Sequence, residues 1–347
     1  MTVLDSSRDR LGRPLGVLRL SLTARCNLAC TYCRPDNVEP QIRLDCNDQL
    51  ALIRTACALG VRSLRLTGGE PLLSDRLLPL LEAVSAGRCD PRDPLSGLDE
   101  VAITTNGVLL TRERATALMQ SGLNRITVSL DAATGQRFGA MTGMPERGSF
   151  LLDRVMAGLE AARDAGFDPS CGALKLNSVI QRHVNDDQII PLARLARRLG
   201  VELRLIEFMD VGQRNGWRPH QVISAAEMVA RVHQQWPLVP LGRSSSATAR
   251  RWTYKYGCGV LGVIASITEP FCGDCNRLRI TVDGMAFTCL FSGQGTDLKP
   301  WLKPALDCEG LHRAMAGLWQ DRSDRFSEER TRQVGLQPRA EMAYLGG

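Results

Sequence analysis

No stretch of this 347-residue chain approaches the ~20 consecutive apolar residues that a membrane-spanning helix needs, so no membrane association is expected. The opening MTVLDSSRDRLGRPLG has no apolar core of the secretory type, which makes the cytoplasm the expected location. No internal repeat is found, and no segment has the composition of a disordered chain. The net charge is only +6, with no basic stripe interleaved with aromatics. Nucleic acid is therefore not an expected partner, while an anionic small molecule is permitted. With 44% hydrophobic and 23% charged residues the chain can bury a large core, and its length favours two domains of unequal size.

What the chain does have is cysteine. Twelve in a reducing compartment do not make a disulfide framework, and six of them fall into two trios, which argues for metal ligation. Cys26, Cys30 and Cys33 have the spacing C-x3-C-x2-C, directly after the alternating run Val17 to Leu22. Three soft thiolates thus lie on a loop leaving a strand, where they can converge on one metal centre. A cubane iron-sulfur cluster held by three thiolates keeps one iron open for a small molecule, whereas an electron-transfer cluster is normally closed by four. Zinc sites and thioredoxin-like pairs use other spacings. Cys46, Cys57, Cys89, Cys171, Cys258 and Cys308 stand alone and read as small buried hydrophobes.

Beyond the first trio a strand-then-helix rhythm sets in. β-rich runs at Val17–Leu22, Val61–Thr67, Val101–Thr105, Arg125–Leu130, Ala173–Ile180 and Val201–Phe208 predict six strands. Apolar residues at three- and four-residue spacing predict helices over Asn47–Leu59, Leu77–Ser85, Arg112–Ser121, Leu151–Ala165, Asp186–Leu199 and Ala225–Gln235. Six βα units imply a parallel sheet with right-handed crossovers, an α/β fold of the partial (β/α)6 TIM-like barrel type. The expected division is an arm over 1–14, the barrel over 15–236, and a smaller C-terminal domain over 237–347, beginning where Pro237 and Pro240 break the pattern. Function in such sheets collects at the C-terminal strand ends, where the cysteine loop, Thr67-Gly68-Gly69-Glu70-Pro71, Thr104-Thr105-Asn106-Gly107, Ser129-Leu130-Asp131 and Glu207-Phe208-Met209-Asp210 all fall.

The second trio is Cys272, Cys275 and Cys289, the last on the far arm of a hairpin that turns at Asp283-Gly284. An open cluster is the simplest reading. Zinc closed by Cys258 or His312 is the alternative. Arg277-Leu278-Arg279 would place two guanidinium forks on one strand face, suited to a phosphate-bearing substrate; a solvated face is the plain alternative. Arg19, Arg65 and Lys175 lie within strands, where a cation facing a barrel lumen needs an anion and one facing outward does not.

C-x3-C-x-Y-C resembles the radical S-adenosylmethionine (SAM) enzymes, in which SAM chelates the open iron and is cleaved to a 5′-deoxyadenosyl radical. Together with GGEP, TTNG, VSLDA, FCGDCNRLRITVDGMAFTCLF and the closing Tyr344-Leu345-Gly346-Gly347, it resembles the GTP 3′,8-cyclase family (MoaA family), which begins molybdenum cofactor synthesis. The resemblance implies that Cys26, Cys30 and Cys33 hold the SAM cluster and that Cys272, Cys275 and Cys289 hold a second [4Fe–4S] cluster that binds guanine. It implies SAM contacts at Tyr32, Gly69, Ser129 and Met209. GTP contacts are implied at Arg19, Arg65, Thr105, Lys175, Arg277, Leu278 and Arg279, with Gly346 and Gly347 entering the site; Arg277 and Arg279 are expected to act in catalysis. The implied reaction is removal of hydrogen from C3′ of the ribose and attack of C3′ on C8 of guanine. Implied partners are a flavodoxin- or ferredoxin-type electron donor and a downstream cyclic pyranopterin monophosphate synthase, with a homodimer as an expectation. Alternatives are a peptide-modifying radical SAM enzyme and a non-catalytic iron-sulfur electron carrier. Ala24 departs from the family's T-D-x-C, and the loop Arg34 to Leu44 is short, which leaves the shielding of the first cluster open.

Overall fold

The computed structural model describes residues 7–35, 37–257, 259–330 and 339–346. Six parallel strands follow one another in space as in sequence: β1 (Val17–Ser21), β2 (Ser63–Thr67), β3 (Glu100–Thr105), β4 (Arg125–Ser129), β5 (Leu174–Ile180) and β6 (Glu202–Glu207). Each alternates strictly where it matters. In β1 and β2, Leu18, Leu20, Leu64 and Leu66 are fully buried against the helices, which turns Arg19 and Arg65 to the opposite, inner face.

Five helices expected from the periodicity are α1 (Cys46–Ala58), α2 (Leu77–Arg88), α3 (Arg112–Gln120), α6 (Ile189–Leu199) and α7 (Ala225–Gln235). Asp45 starts α1 with a reciprocal capping box through Asp48, and Gly200 ends α6 in the left-handed region. Between β4 and β5 the chain forms two helices where periodicity indicated one, α4 (Gly135–Met141) and α5 (Gly148–Asp164). The short α4 matters: its last residues accept hydrogen bonds from the cysteine loop, Ala29 N to Thr142 O at 3.0 Å and Thr31 N to Met141 O at 3.0 Å.

The C-terminal part does not build a sheet of its own. The strands β7 (Leu238–Gly242), β8 (Arg250–Tyr254), β9 (Val260–Ile264), β10 (Arg277–Ile280), β11 (Met285–Phe287) and β12 (Thr296–Asp297) extend the same sheet on both flanks. The order is β12-β11-β10-β1-β2-β3-β4-β5-β6-β9-β8-β7, with β9 parallel to β6 and β10 parallel to β1. This moves the second trio. Because β10 runs with β1, Cys272 and Cys275 just before it lie at the N-terminal end of the barrel, and Cys289 just after the antiparallel β11 joins them. The two trios therefore stand at opposite ends of the strands, with the lumen between them. At about 3.3 Å per residue, β1 separates the two ends by roughly 16 Å.

The chain closes with α8 (Cys308–Gln320) and a one-turn α9 (Met342–Leu345). The isolated cysteines are less buried than expected: Cys89, Cys171 and Cys308 are exposed, Cys46 and Cys57 half-buried, since all but Cys57 lie in a turn or at a helix terminus facing solvent. Cys258 lies outside the described residues.

Candidate active site

At the C-terminal end of β1 the chain turns into the loop that carries Cys26, Cys30 and Cys33. Cys26 Sγ accepts the Leu28 N–H at 3.5 Å and the Asn106 amide at 3.8 Å, so the Asn of TTNG helps to hold the first trio. The Tyr32 hydroxyl donates to Asp131 Oδ2 at 2.9 Å. Burial pushes Asp131 up to about 6, although the Val179 N–H and the Tyr32 hydroxyl pull it back. Position 24 itself carries no acid, but Glu39, from the short loop, accepts the Ala24 N–H at 3.2 Å and the Thr23 hydroxyl.

Gly69 has a packing role besides the SAM contact expected of it. A Cβ there would stand 2.3 Å from Arg25 O and 2.8 Å from Ala24 O, so the GGEP turn packs directly on the cysteine-loop backbone. Gly69 N donates to Thr23 O at 2.8 Å and Glu70 N to Arg25 O at 2.9 Å. Gly69→Ala is expected to cost about 1–3 kcal/mol through this overlap, visible as a lower thermal midpoint with preferential loss of first-trio iron. Glu70 is fully buried and accepts from Thr105 Oγ1 at 2.7 Å, Asn106 N at 2.7 Å and Leu72 N at 3.0 Å. Burial nonetheless holds its carboxyl above its ordinary value. Thr105 is therefore turned away from the lumen to serve Glu70, and of the two threonines of TTNG it is Thr104 that lines the cavity.

The lumen is a cavity of about 260 Å³ that reaches from Cys272, Cys275 and Cys289 to Met209. Among the described residues, seven arginines and one carboxylate, Asp324, line it. The register makes the reason plain: Arg279, Arg19 and Arg65 stand side by side on β10, β1 and β2. Adjacent like charges at strand spacing repel, and burial adds to the cost. Burial first, then Arg279, Arg65 and Arg277, lower the proton affinity of Arg19 well below normal. Burial and neighbouring arginines bring Arg65 down to about 9 and Arg279 to about 10. Arg279 Nη1 is buried with no hydrogen-bond partner among the described residues. Arg277 lies over the Phe271 ring at 5.1 Å.

Lower in the barrel, two carboxylates offset part of this charge. Glu202 holds Arg204 at 2.7 Å, Lys175 at 3.1 Å and Arg251 at 3.5 Å, while Glu100 holds Arg125 and stands 3.9 Å from Arg65. Lys175 thus has a protein partner and does not line the cavity; burial and Arg204 lower it to about 8. Ser129 ends β4 beside Asn177 without lining the cavity, and Leu278 faces the core, fully buried. Arg204 and Arg251 are site residues that the sequence reading passed over. A signal existed for the first: Leu-Arg-Leu recurs at 18–20, 64–66 and 203–205, and each central arginine points inward.

The C-terminal tail enters the same space. Arg19 Nη2 donates to Gly346 O at 2.7 Å, and Tyr344 hydroxyl donates to Asp283 at 2.9 Å. A Cβ on Gly346 would stand 2.1 Å from Thr67 Oγ1, and its φ of +68° lies in the left-handed region. Gly347 lies outside the described residues. Upstream, Asp210, next to Met209, pairs with both Arg330 at 2.8 Å and Arg339. Asp210→Ala is expected to free the tail, read as several-fold faster proteolytic trimming after Arg339 with the barrel left intact.

Both trios suit a polynuclear group. Among the described residues no three His, Cys, Asp or Glu side chains close on a single ion, yet the thiols of each trio feel one another's charge. Burial, then Cys26 and Glu341, push Cys33 up to about 12, and burial and Asp324 do the same for Cys289. Burial would also raise Cys275, but Arg277 and Arg322 overcome it and bring it to about 7.

A partial parallel barrel with a three-cysteine loop after its first strand is the architecture of the radical SAM superfamily, whose family model matches residues 20–196. The fold is similar to that of Streptococcus suis SuiB bound to S-adenosylmethionine, with a TM-score of 0.62 and 15% identity over 92% of this chain and 68% of that one. A second family model, Molybdenum Cofactor Synthesis C, matches residues 201–328. A GTP 3′,8-cyclase of Synechococcus sp. (strain WH7803) is 61% identical over 98% of both chains, and one of Xanthomonas campestris pv. campestris (strain B100) is 44% identical over 98% of this chain and 97% of that one. The chain belongs to the GTP 3′,8-cyclase family.

Proposed function

We propose that the chain converts GTP to (8S)-3′,8-cyclo-7,8-dihydroguanosine 5′-triphosphate, the first step of molybdenum cofactor synthesis, using SAM and two [4Fe–4S] clusters. The observation that carries this reading is the row Arg279–Arg19–Arg65, a buried run of like charge on three adjacent strands opening directly above a second cysteine trio. Such a row is unfavourable by itself and becomes favourable around a polyanion.

Cys26, Cys30 and Cys33 would hold one cluster, and Cys272, Cys275 and Cys289 the other. When bound, the first supplies the electron that opens SAM reductively, and the second an open iron for the guanine. Tyr32, Gly69, Ser129 and Met209 border the SAM side, with Tyr32 fixed by Asp131. Arg19, Arg65, Arg277 and Arg279 grip the triphosphate, with Thr104 in the place expected for Thr105 and Lys175 acting through Glu202. Hydrogen leaves C3′, C3′ bonds to C8, and one electron and one proton complete the product. The residues' work is orientation and exclusion of water, because a carbon radical reacts with its nearest neighbour. Gly346 closes the space where a side chain would not fit.

The electron donor is a flavodoxin or ferredoxin, the product passes to a cyclic pyranopterin monophosphate synthase, and the enzyme works in the cytoplasm as a homodimer; these complete the proposal. No helix among the described residues is long and apolar enough to cross a membrane. The test is anaerobic incubation of the reconstituted protein with SAM, GTP and reductant. 5′-Deoxyadenosine together with a cyclised guanosine product is expected; deoxyadenosine without a GTP-derived product would reject the reading.

A further inference from the structure

Beside the second trio, four ionisable side chains form one network between the N-terminal arm and the segment after α8, and two of them, Arg322 and Asp324, also line the lumen. Arg13 and Asp9 come from the arm, Arg322 and Asp324 from beyond the helix. Arg13 is 2% exposed and Arg322 4%. Arg13 Nε donates to Asp9 Oδ2 at 2.5 Å, Arg322 Nη2 lies 3.1 Å from Asp324 Oδ1, and Arg322 Nη1 lies 3.6 Å from Asp9.

The free ends of this network point at the cysteine backbone. Arg13 Nη1 donates to the carbonyl of Cys272 at 2.8 Å, and to that of Asp324 at 2.9 Å. Arg322 Nη1 donates to the carbonyl of Cys275 at 2.6 Å. Asp324 Oδ2 accepts the hydroxyl of Thr288, the residue before Cys289, at 2.7 Å. All three thiolate-bearing positions are thus tied to one set of charges, although they come from two arms of a hairpin. Trp319 on α8 completes it, with its ring 4.6 Å from the Arg322 guanidinium and its Nε1–H donating to Arg13 O at 3.1 Å.

Stability alone does not account for this. Three buried charges and a half-buried Asp324 cost desolvation that apolar side chains of the same volume would avoid, which points to the geometry the network fixes as its use. Here the fixed geometry is that of the second trio. We propose that Arg13 and Arg322, held by Asp9 and Asp324, are positioning residues for the cluster on Cys272, Cys275 and Cys289, which makes the N-terminal arm part of that site. The inference rests on the reading that this trio holds a cluster.

The experiment uses full-length chain reconstituted anaerobically, in a background where Cys26, Cys30 and Cys33 are alanine, so that all cluster iron belongs to the second trio. Arg13→Gln and Arg322→Gln are expected to lose that iron to a chelator about 10–100-fold faster than the background chain, the usual effect of removing an outer partner of a metal ligand. Their electron paramagnetic resonance signal should shift or broaden. In the otherwise native chain the same substitutions should leave first-cluster iron in place. Iron retention and spectra equal to the background chain would overturn the inference. Where Arg322→Gln does not fold, Arg13→Lys decides: it keeps the charge but loses the fork that reaches Asp9 and Cys272 together, so it should raise iron lability with an unchanged thermal midpoint, and unaltered lability refutes the role. A background chain that takes up no cluster iron would overturn the reading of the trio itself, a separate failure.

Discussion

Replacing Cys272, Cys275 and Cys289 together by alanine is expected to leave a chain that binds one cluster's iron, still cleaves SAM, and makes no GTP-derived product. The separation of effects follows from topology. The first trio stands on the loop after β1, held by α4, Asn106 and Glu39, none of which touches the second trio. The second stands at the opposite strand ends, roughly 16 Å away along β1. SAM cleavage needs only the first. Positioning of the base needs the second, and an unpositioned ribose forfeits the orientation on which ring closure depends. Iron content, deoxyadenosine yield and product yield check the three parts separately. Loss of SAM cleavage in step with the product would mean that the two trios form one unit.

Arg279→Leu is expected to raise the thermal midpoint of the GTP-free protein while lowering kcat/KM for GTP by about 10²–10³-fold, the scale of losing one preorganised charge donor. Arg279 is 7% exposed, its Nη1 lacks a partner among the described residues, and Arg19 stands directly beside it in the register. Without an anion each of these costs folding energy, so an apolar side chain of shorter reach relieves strain stored for function. Arg279→Lys should keep the repulsion but lose the fork, giving weak GTP use and no gain in stability. An arginine present for structure would behave oppositely, with leucine destabilising and GTP kinetics little changed. Differential scanning calorimetry and steady-state kinetics on the same samples distinguish the two.

Much of this arrangement was legible in the chain because its signals are local. The spacing of Cys26, Cys30 and Cys33 and the inward arginines of Leu-Arg-Leu need only strand alternation to be read. What escaped was long-range. Nothing near Cys272 announces that β10 will pair in parallel with β1, so the sequence left open which end of the barrel the second trio occupies. The role of Gly69 depends on Arg25 and Ala24 across the loop, and that of Thr105 on Glu70. Glu39 accepting from Ala24 is a contact fifteen residues apart, set by the loop's path rather than its composition. Arg13 and Arg322 are 309 positions apart and meet only because the arm folds back over α8.

Both flanks of the parallel core are finished by strands that the ribosome delivers late. When Glu207 has emerged, β1 and β6 each present a row of unpaired backbone donors and acceptors, the kind of margin that recruits other chains. The 73 residues from Glu207 to Ile280 take roughly 4 to 15 s to make at about 5–20 residues per second. Throughout that interval the nascent polypeptide carries two raw selvedges, and only the arrival of β9 and β10 hems them. The same two late strands bracket Cys272 and Cys275, and Cys289 follows one hairpin later, so translation brings the means of protecting the sheet and the means of engaging the nucleotide in one short stretch of chain.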